Sequence, residues 1–533
     1  MRLAPFFKGI FIAAPLSVAL TGAVLLSCMP TTARAQERPS HFSLTKPAIG
    51  ASDRPLSNSA VDLLVRGDTL WVGGGKGLDV TADRGATWRH LGDESPFDTE
   101  DIAALEAHGG VLWASLAGSE DTDQGALPKG LGLAVSTDFG RSWTKVKQPM
   151  ESSDMSVYDI AYGNNTIKAL AVTTEINNIT YDLAVTGRGV YIASFAGGLR
   201  KSTDGGQTFT PVVLPPDQID AISPEDSLSF SLSPVNRPDL GLVESLNHRV
   251  FSVHAMNDDT LWVGTAGGIN LSTDGGVSWR KFTFNNQSSP ISGNFVVGIG
   301  HNVIGGVTHV WAATVNALNP VEYRAVSVTT DMGQSWRTAL RGEFTHNFGF
   351  KGEVVYAATN SGVYRSDDAG LSWVGFSHFV DSRTRRIAAE PRCYAVAAMG
   401  DDVYVSNADG LMRTRDDGEQ FFGQEWTLFR AAQPIGVAGE AYAYPNPFAP
   451  DDEVLRIHYR TGSRGSVSIR IYDFAMMPVR TLIQNASRTP DSEMDEIWDG
   501  KTDDGTQVAN GVYYIEVTVD DGDPVWTKAI ALQ

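Results

Sequence analysis

Cysteine is almost absent: Cys28 and Cys393 are the only two in 533 residues. A disulfide framework is therefore excluded, and so is any multi-cysteine metal cluster. Positive charge is also short. Asp and Glu number 62 against 42 Lys and Arg, giving a formal net charge of −20. That balance repels phosphate backbones and anionic surfaces, so no nucleic-acid partner is expected. No zinc spacing, P-loop, dinucleotide fingerprint or Gly-x-Ser-x-Gly elbow occurs. The acidic run Glu120-Asp121-Thr122-Asp123 lacks the calcium-loop pattern. Neither cofactor nor metal is expected, and no catalytic residue is assigned. A long uncharged stretch occurs at the N-terminus, Gly9 to Ala33.

That stretch reads as a targeting segment. Arg2 and Lys8 supply the basic start, and Ala33-Arg34-Ala35 supplies a small-x-small cleavage site, placing the signal peptide at 1–35. Two alternatives stay open. Leu25-Leu26-Ser27-Cys28 resembles a lipobox that makes Cys28 a lipid anchor, and the segment can also stay uncleaved as a membrane anchor. Only those two give a membrane partner. All three export the chain, to the cell surface, the medium or the periplasm. Cys393 opens the apolar run CYAVAAM and reads as a buried small hydrophobe.

What is plentiful is glycine (54) and tryptophan (12), as expected of many short strands joined by tight turns. One pattern, Ser/Thr-x-Asp-x-Gly-x-x-Trp/Phe, recurs seven times. Its aspartates are Asp83, Asp138, Asp204, Asp274, Asp331, Asp368 and Asp416. Its terminal aromatics are Trp88, Trp143, Phe209, Trp279, Trp336, Trp373 and Phe421. Around each copy stand runs such as DDTLWVGT and GGINLS, short and rich in β-branched or aromatic residues. Each unit reads as a four-stranded blade with the box between its third and fourth strands. The Asp is expected to hold its own turn through backbone N–H groups, the Gly to adopt positive φ, and every box aromatic to be buried. The fold expected is all-β, a seven-bladed propeller over 55–430 preceded by a short segment, 36–54.

These boxes resemble the Asp-box, or bacterial neuraminidase, repeat of sialidases, sortilin-type propellers, xyloglucan hydrolases and photosystem II assembly factors. The resemblance implies propeller architecture and leaves activity open. The sialidase signature Arg-Ile-Pro is missing; Asp53-Arg54-Pro55-Leu56 stands in its place. Xyloglucan hydrolases of this type usually use two tandem propellers, and one is expected here.

Three excursions, 115–130, 147–178 and 213–247, are candidate binding loops, and VYDIAYGNNTIKALAV within the second reads as a hairpin. Two residue groups are candidate ligand contacts. Arg383, Arg385, Arg386 and Arg392 form a basic run between the sixth and seventh units. His248, Arg249 and His254 flank the fourth unit's inner strand and are candidates for the central channel. A solvated loop and a hydrogen-bonded lining are the simpler readings of the two groups.

After a small-residue linker, 431–440, the character changes. In 441–533 Val467, Ile469 and Ile471 alternate with Ser466, Ser468 and Arg470, as in a sandwich strand. About seven short strands fit an Ig-like fold, with Trp498, Val512 and Tyr514 as further core candidates. The segments Tyr444-Pro445-Asn446-Pro447-Phe448, Ile471-Tyr472-Asp473, Trp498-Asp499-Gly500 and Gly511-Val512-Tyr513-Tyr514 resemble the Ig-like domain of flagellar hook-capping proteins. They also resemble the sorting domains of type IX secretion cargo. That resemblance implies secretion machinery as a partner. The linker implies a module with little contact to the propeller. The whole reads as a non-catalytic binder of a glycan or protein, with a glycoside hydrolase as the alternative.

Overall fold

The computed structural model describes residues 52–532 apart from 53, 93–94, 99, 123–124, 384–385, 389, 432–440, 451–453, 462–464, 489–492 and 521. The targeting segment with Cys28, and Arg385, lie outside the described residues. The described chain is strands and turns, with two three-residue 3-10 turns at Pro238–Leu240 and Leu246–His248.

Among the described residues seven antiparallel sheets follow one another, each with four strands in sequence order from a contiguous stretch of chain; the fourth adds Ala221–Ile222, from upstream, as an outermost fifth strand. Their inner strands are Ala60–Arg66, Asp101–His108, Thr180–Thr186, Val250–Ala255, Phe295–Ile304, Thr345–Lys351 and Cys393–Met399. Each inner strand touches the next, and the seventh touches the first, so the ring closes. Among the described residues no strand is shared between the first and last blades. Side chains join them instead: Arg413 donates to the Arg84 carbonyl at 2.6 Å, and Trp88 meets Phe429 edge-on at 5.7 Å.

Six of the boxes form the same turn. At Asp274, the Ser272 hydroxyl donates to Oδ1 at 2.7 Å, while Ser278 donates its backbone N–H (2.9 Å) and hydroxyl to the carboxylate. Asp83, Asp138, Asp204, Asp331 and Asp368 repeat these contacts. The residue after the Asp and the following Gly both take positive φ, as Phe139 (60°) and Gly140 (76°) do. Close approach also demands the glycine: a Cβ on Gly206 would lie 2.7 Å from Trp113 of the preceding blade.

The seventh box differs. Tyr356 and Arg365 of the blade before donate to Asp416, and Asp417 accepts the N–H groups of Glu419 and Gln420. Phe421 is 85% exposed, which corrects the expectation that it is buried; Phe422 and Trp426 fill its place. Among the other box aromatics Trp88, Trp279 and Trp336 are buried, while Trp143, Phe209 and Trp373 are half-buried.

A second repeat emerges from the packing. Trp71, Trp113, Tyr191, Trp262, Trp311, Tyr356 and Tyr404 hold the same place on the second strand of each blade, all buried. Each reaches the box of the following blade. The Tyr191 hydroxyl donates to the Gly275 carbonyl at 2.9 Å, Trp262 meets Trp336 edge-on, and Trp311 meets Trp373 likewise. This aromatic, together with the box, couples neighbouring blades.

The strands from Ala441 onward make a sandwich of two sheets. One holds Ala441–Tyr444, Leu455–Arg460 and Glu493–Trp498; the other holds Pro478–Arg488, Gly465–Tyr472, Gly511–Val519 and Val525–Ala531. Val467, Ile469, Ile471 and Trp498 are buried between them. Val512 and Tyr514 are not: Tyr513, Ile515 and Val517 face the core. One residue of register turns every side chain over, and the Tyr513 hydroxyl anchors this register on the Ala509 carbonyl at 2.8 Å.

Candidate functional site

Sheet order decides where the excursions lie. In an antiparallel meander the first and third connections share one face of the ring, and the second connection shares the other with the links between blades. The boxes are third connections. The excursions are second connections or inter-blade links, so all leave and rejoin the ring on the opposite face; 147–178 and 213–247 also run along the outer edge of blade four, where Ala221–Ile222 pairs with Trp279–Phe282 and the Tyr162 hydroxyl donates to the Val277 carbonyl of the fourth box at 2.7 Å.

They are built structures. In 147–178, Val157–Tyr162 and Asn165–Leu170 form the expected hairpin, and Ser231–Leu232 from 213–247 adds a third strand. Tyr162, Ile167, Leu214, Ile222 and Leu232 share a core with blades three and four. Buried polar groups pin these loops. Arg200 pairs with Glu151 at 2.8 Å, and Lys281 donates to the carbonyls of Pro216 and Asp217 at 2.6 and 2.9 Å. Asp217 accepts the N–H groups of Leu246 and Asn247, both at 2.9 Å. Residues 115–130 complete a long hairpin, and Lys129 ties it to Glu175 of the next excursion at 3.1 Å.

Behind this face runs a channel of about 390 Å³ lined by Asp62, Asp101, Glu106, Asp182, Arg66, His254 and Tyr181 among others. Its walls are strand edges, whose N–H groups need acceptors. Asp62 takes the N–H groups of Leu63 and, in the next blade, Leu105 (2.9 and 2.8 Å). Asp182 likewise takes those of Leu183 and Val253 (2.9 and 3.0 Å). These two carboxylates therefore brace blades. Glu106 Oε1 accepts the Ala107 N–H at 2.7 Å and Arg66 at 3.2 Å. Burial pushes Glu106 up to about 7 and Asp101 up to about 6. The AVDLLV and TYDLAV runs carried the signal for Asp62 and Asp182: one acid at the same place in two inner strands.

The sequence-derived candidates separate. His254 lines the channel, with Nε2 2.6 Å from His301 Nδ1. Burial, and then the neighbouring ring, lower His254 to about 3, so the pair shares one N–H···N bond while neutral at pH 7. His248 is buried against Gly198. Arg249 is engaged by 213–247: it donates to the Pro234 carbonyl and pairs with Glu244, both at 2.7 Å, with its guanidinium over Phe195. Arg383 is exposed. Arg392 is half-buried beside Glu390, to whose carboxylate its N–H donates at 3.1 Å. Arg386 lies 3.6 Å from Asp495 of the sandwich. The three described arginines are thus engaged differently: Arg383 is exposed, Arg392 stands beside Glu390 and Arg386 faces the sandwich.

Arg386 introduces a contact the linker did not announce. The sandwich docks on blade seven through the outer face of Leu455–Arg460. Arg456 donates to Asp409 at 2.6 Å, Arg430 lies 3.1 Å from Asp409 and 3.3 Å from Asp495, and His458 lies 2.8 Å from Asp495. All five groups are buried or nearly so. Burial alone would raise Asp495; His458, Arg430 and Arg386 hold it well below the carboxylate range.

Ring, meander sheets and axial channel define an all-β propeller. No family model matches the chain, and no curated protein does either. Among solved structures the chain is similar to YCF48 from Cyanidioschyzon merolae, with 14% identity and a TM-score of 0.40 over 69% of this chain and 98% of that one. It is similar to an ancestral GH74 enzyme, with 12% identity and a TM-score of 0.48 over 89% and 63%. It is also similar to PorZ, a surface component of the type-IX secretion system of Porphyromonas gingivalis, with 15% identity and a TM-score of 0.30 over 88% and 64%.

Proposed function

We propose that this chain is an exported, non-catalytic propeller of the Asp-box kind that binds a glycan or protein ligand on its loop-rich face. The division is a signal peptide, 1–35, a propeller, 55–430, and a module, 441–533, that serves sorting or attachment. One observation carries the binding reading: the excursions, which leave the ring on the face opposite the boxes, are packed and pinned to one another and to blades two to four, and rigid, elaborated loops are where propellers place recognition. The channel carboxylates support its non-catalytic part. Both oxygens of Asp62 and of Asp182 are occupied by backbone N–H groups, which leaves them poor candidates for proton transfer.

A glycan array probed with residues 36–533, paired with the variant Tyr181→Ala/Phe195→Ala, in which Tyr181 lines the channel and Phe195 packs under Arg249, tests the reading. Binding that the variant loses at least tenfold is the expected result. The glycoside hydrolase reading keeps one observation, the elevated Asp101 and Glu106. Turnover of sialosides or β-glucans that Glu106→Gln abolishes would replace the binding reading with that one. The sorting role has its own test: with 441–533 deleted, the propeller is expected to stay in the periplasm of a host with type IX secretion.

A further inference from the structure

The outer faces of the sandwich differ. The face bearing Arg456 and His458 is covered by the propeller, so the opposite sheet turns its own outer face away from it. Strand register puts two rows of side chains there. Arg470, Glu516 and Trp526 align across three strands, and Tyr472, Tyr514 and Lys528 align beside them. Trp526 is 44% exposed, and its ring lies 5.6 Å from that of Tyr472. The Tyr472 hydroxyl donates to Glu516 at 2.7 Å, and Arg470 stands 3.8 Å from the same carboxylate. Outward aromatics on a sandwich strand contribute nothing to its core, and exposed apolar rings grouped together mark an interaction site.

We propose that this face is a glycan-binding platform for a neutral, β-linked polysaccharide. The chemistry of the rows selects the ligand. A pyranose with equatorial hydroxyls has flat C–H faces and a hydrogen-bonding rim. Trp526 and Tyr472 offer the flat apolar surface; Arg470, Glu516 and Lys528 surround it with donors and an acceptor. Two cations and one acid complement neither a polyanion nor a polycation. The rings cover too little area for a stable protein interface, which needs roughly 800 Å² on each partner. Docking holds the platform outward, so this site is separate from the loop-rich face.

The test is affinity electrophoresis of the chain 36–533 in gels containing hydroxyethylcellulose, laminarin or glycol chitin, followed by calorimetry with the matching hexasaccharide. Retardation by at least one gel is expected. Trp526→Ala is expected to lose at least tenfold in affinity, and Lys528→Ala severalfold. Tyr472→Phe, which keeps the ring, is expected to retain most of it. Tyr181→Ala/Phe195→Ala, on the propeller, is expected to leave it unchanged, which separates this platform from the loop-rich face. Thermal melts check that each variant is folded. No retardation by any of the three gels overturns the proposal, and so does retardation unaltered in folded Trp526→Ala and Lys528→Ala.

Discussion

At the scale of single residues, the box aspartate acts as a local acceptor. Thr208 donates both its hydroxyl and its N–H to Asp204, and these bonds lower the carboxyl to about 2; Ser372 does the same for Asp368. A depressed carboxylate contributes stability above its unfolded value, near 4, and loses it as pH falls through the folded value. The melting temperature is therefore expected to drop between about pH 4 and pH 2, and to drop less steeply in Asp204→Asn/Asp368→Asn. Identical slopes in melts across that range contradict the role. The box aromatics give a second contrast. Trp279 is 3% exposed, and Trp279→Ala is expected to cost about 3–5 kcal/mol. Phe421→Ala, at the irregular seventh box, is expected to leave a denaturant melt unchanged.

At the scale of elements, what could be read from sequence was whatever repeats. The boxes could be read because six of the seven are local turns whose bonds close within their own motif, and the seventh keeps the pattern although Asp416 is held from the blade before. The second-strand aromatics repeat as faithfully, in TLWVGG, VLWASL and GVYIAS, but their partner lies one blade away, so spacing within a unit does not reveal it. Site residues were less legible for the same reason. Arg249 and His248 looked like channel groups because nothing local shows that Pro234 and Glu244 fold back to hold Arg249, or that Gly198 of the blade before packs on His248. The Val512–Tyr514 run could be placed in either register by alternation alone, and the turn at Ala509 decides it. The excursions themselves are testable units. Asp217→Ala removes the acceptor of Leu246 and Asn247, and hydrogen exchange is expected to accelerate within 213–247 while the strands of blade four keep their protection. Equal acceleration throughout the blade would mean that the loop and blade open together.

At the scale of the whole molecule, propeller and sandwich meet through charge. The ring closes without a shared strand, and the sandwich docks beside that seam, where the Ala431 N–H donates to Asn58 of the first blade's approach at 2.7 Å. A buried ion pair adds little net stability when intact, because desolvation offsets attraction, yet removing one partner strands the other in a dry site. Deleting 441–533 re-exposes Asp409 and Arg430 to water, so the propeller is expected to stay folded without its module. Asp409→Ala in the intact chain is harsher, since Arg456 stays buried beside the gap. It is expected to weaken docking by about 3–5 kcal/mol. Replacing both partners in Asp409→Leu/Arg456→Met is expected to recover most of that loss. Calorimetry and limited proteolysis read the difference: one transition and slow cleavage between 431 and 441 for the parent and the double variant, two transitions and rapid cleavage there for Asp409→Ala. If Asp409→Ala melts and is cleaved like the parent, the ionic contact does not hold the module, and its outward glycan platform has no fixed orientation.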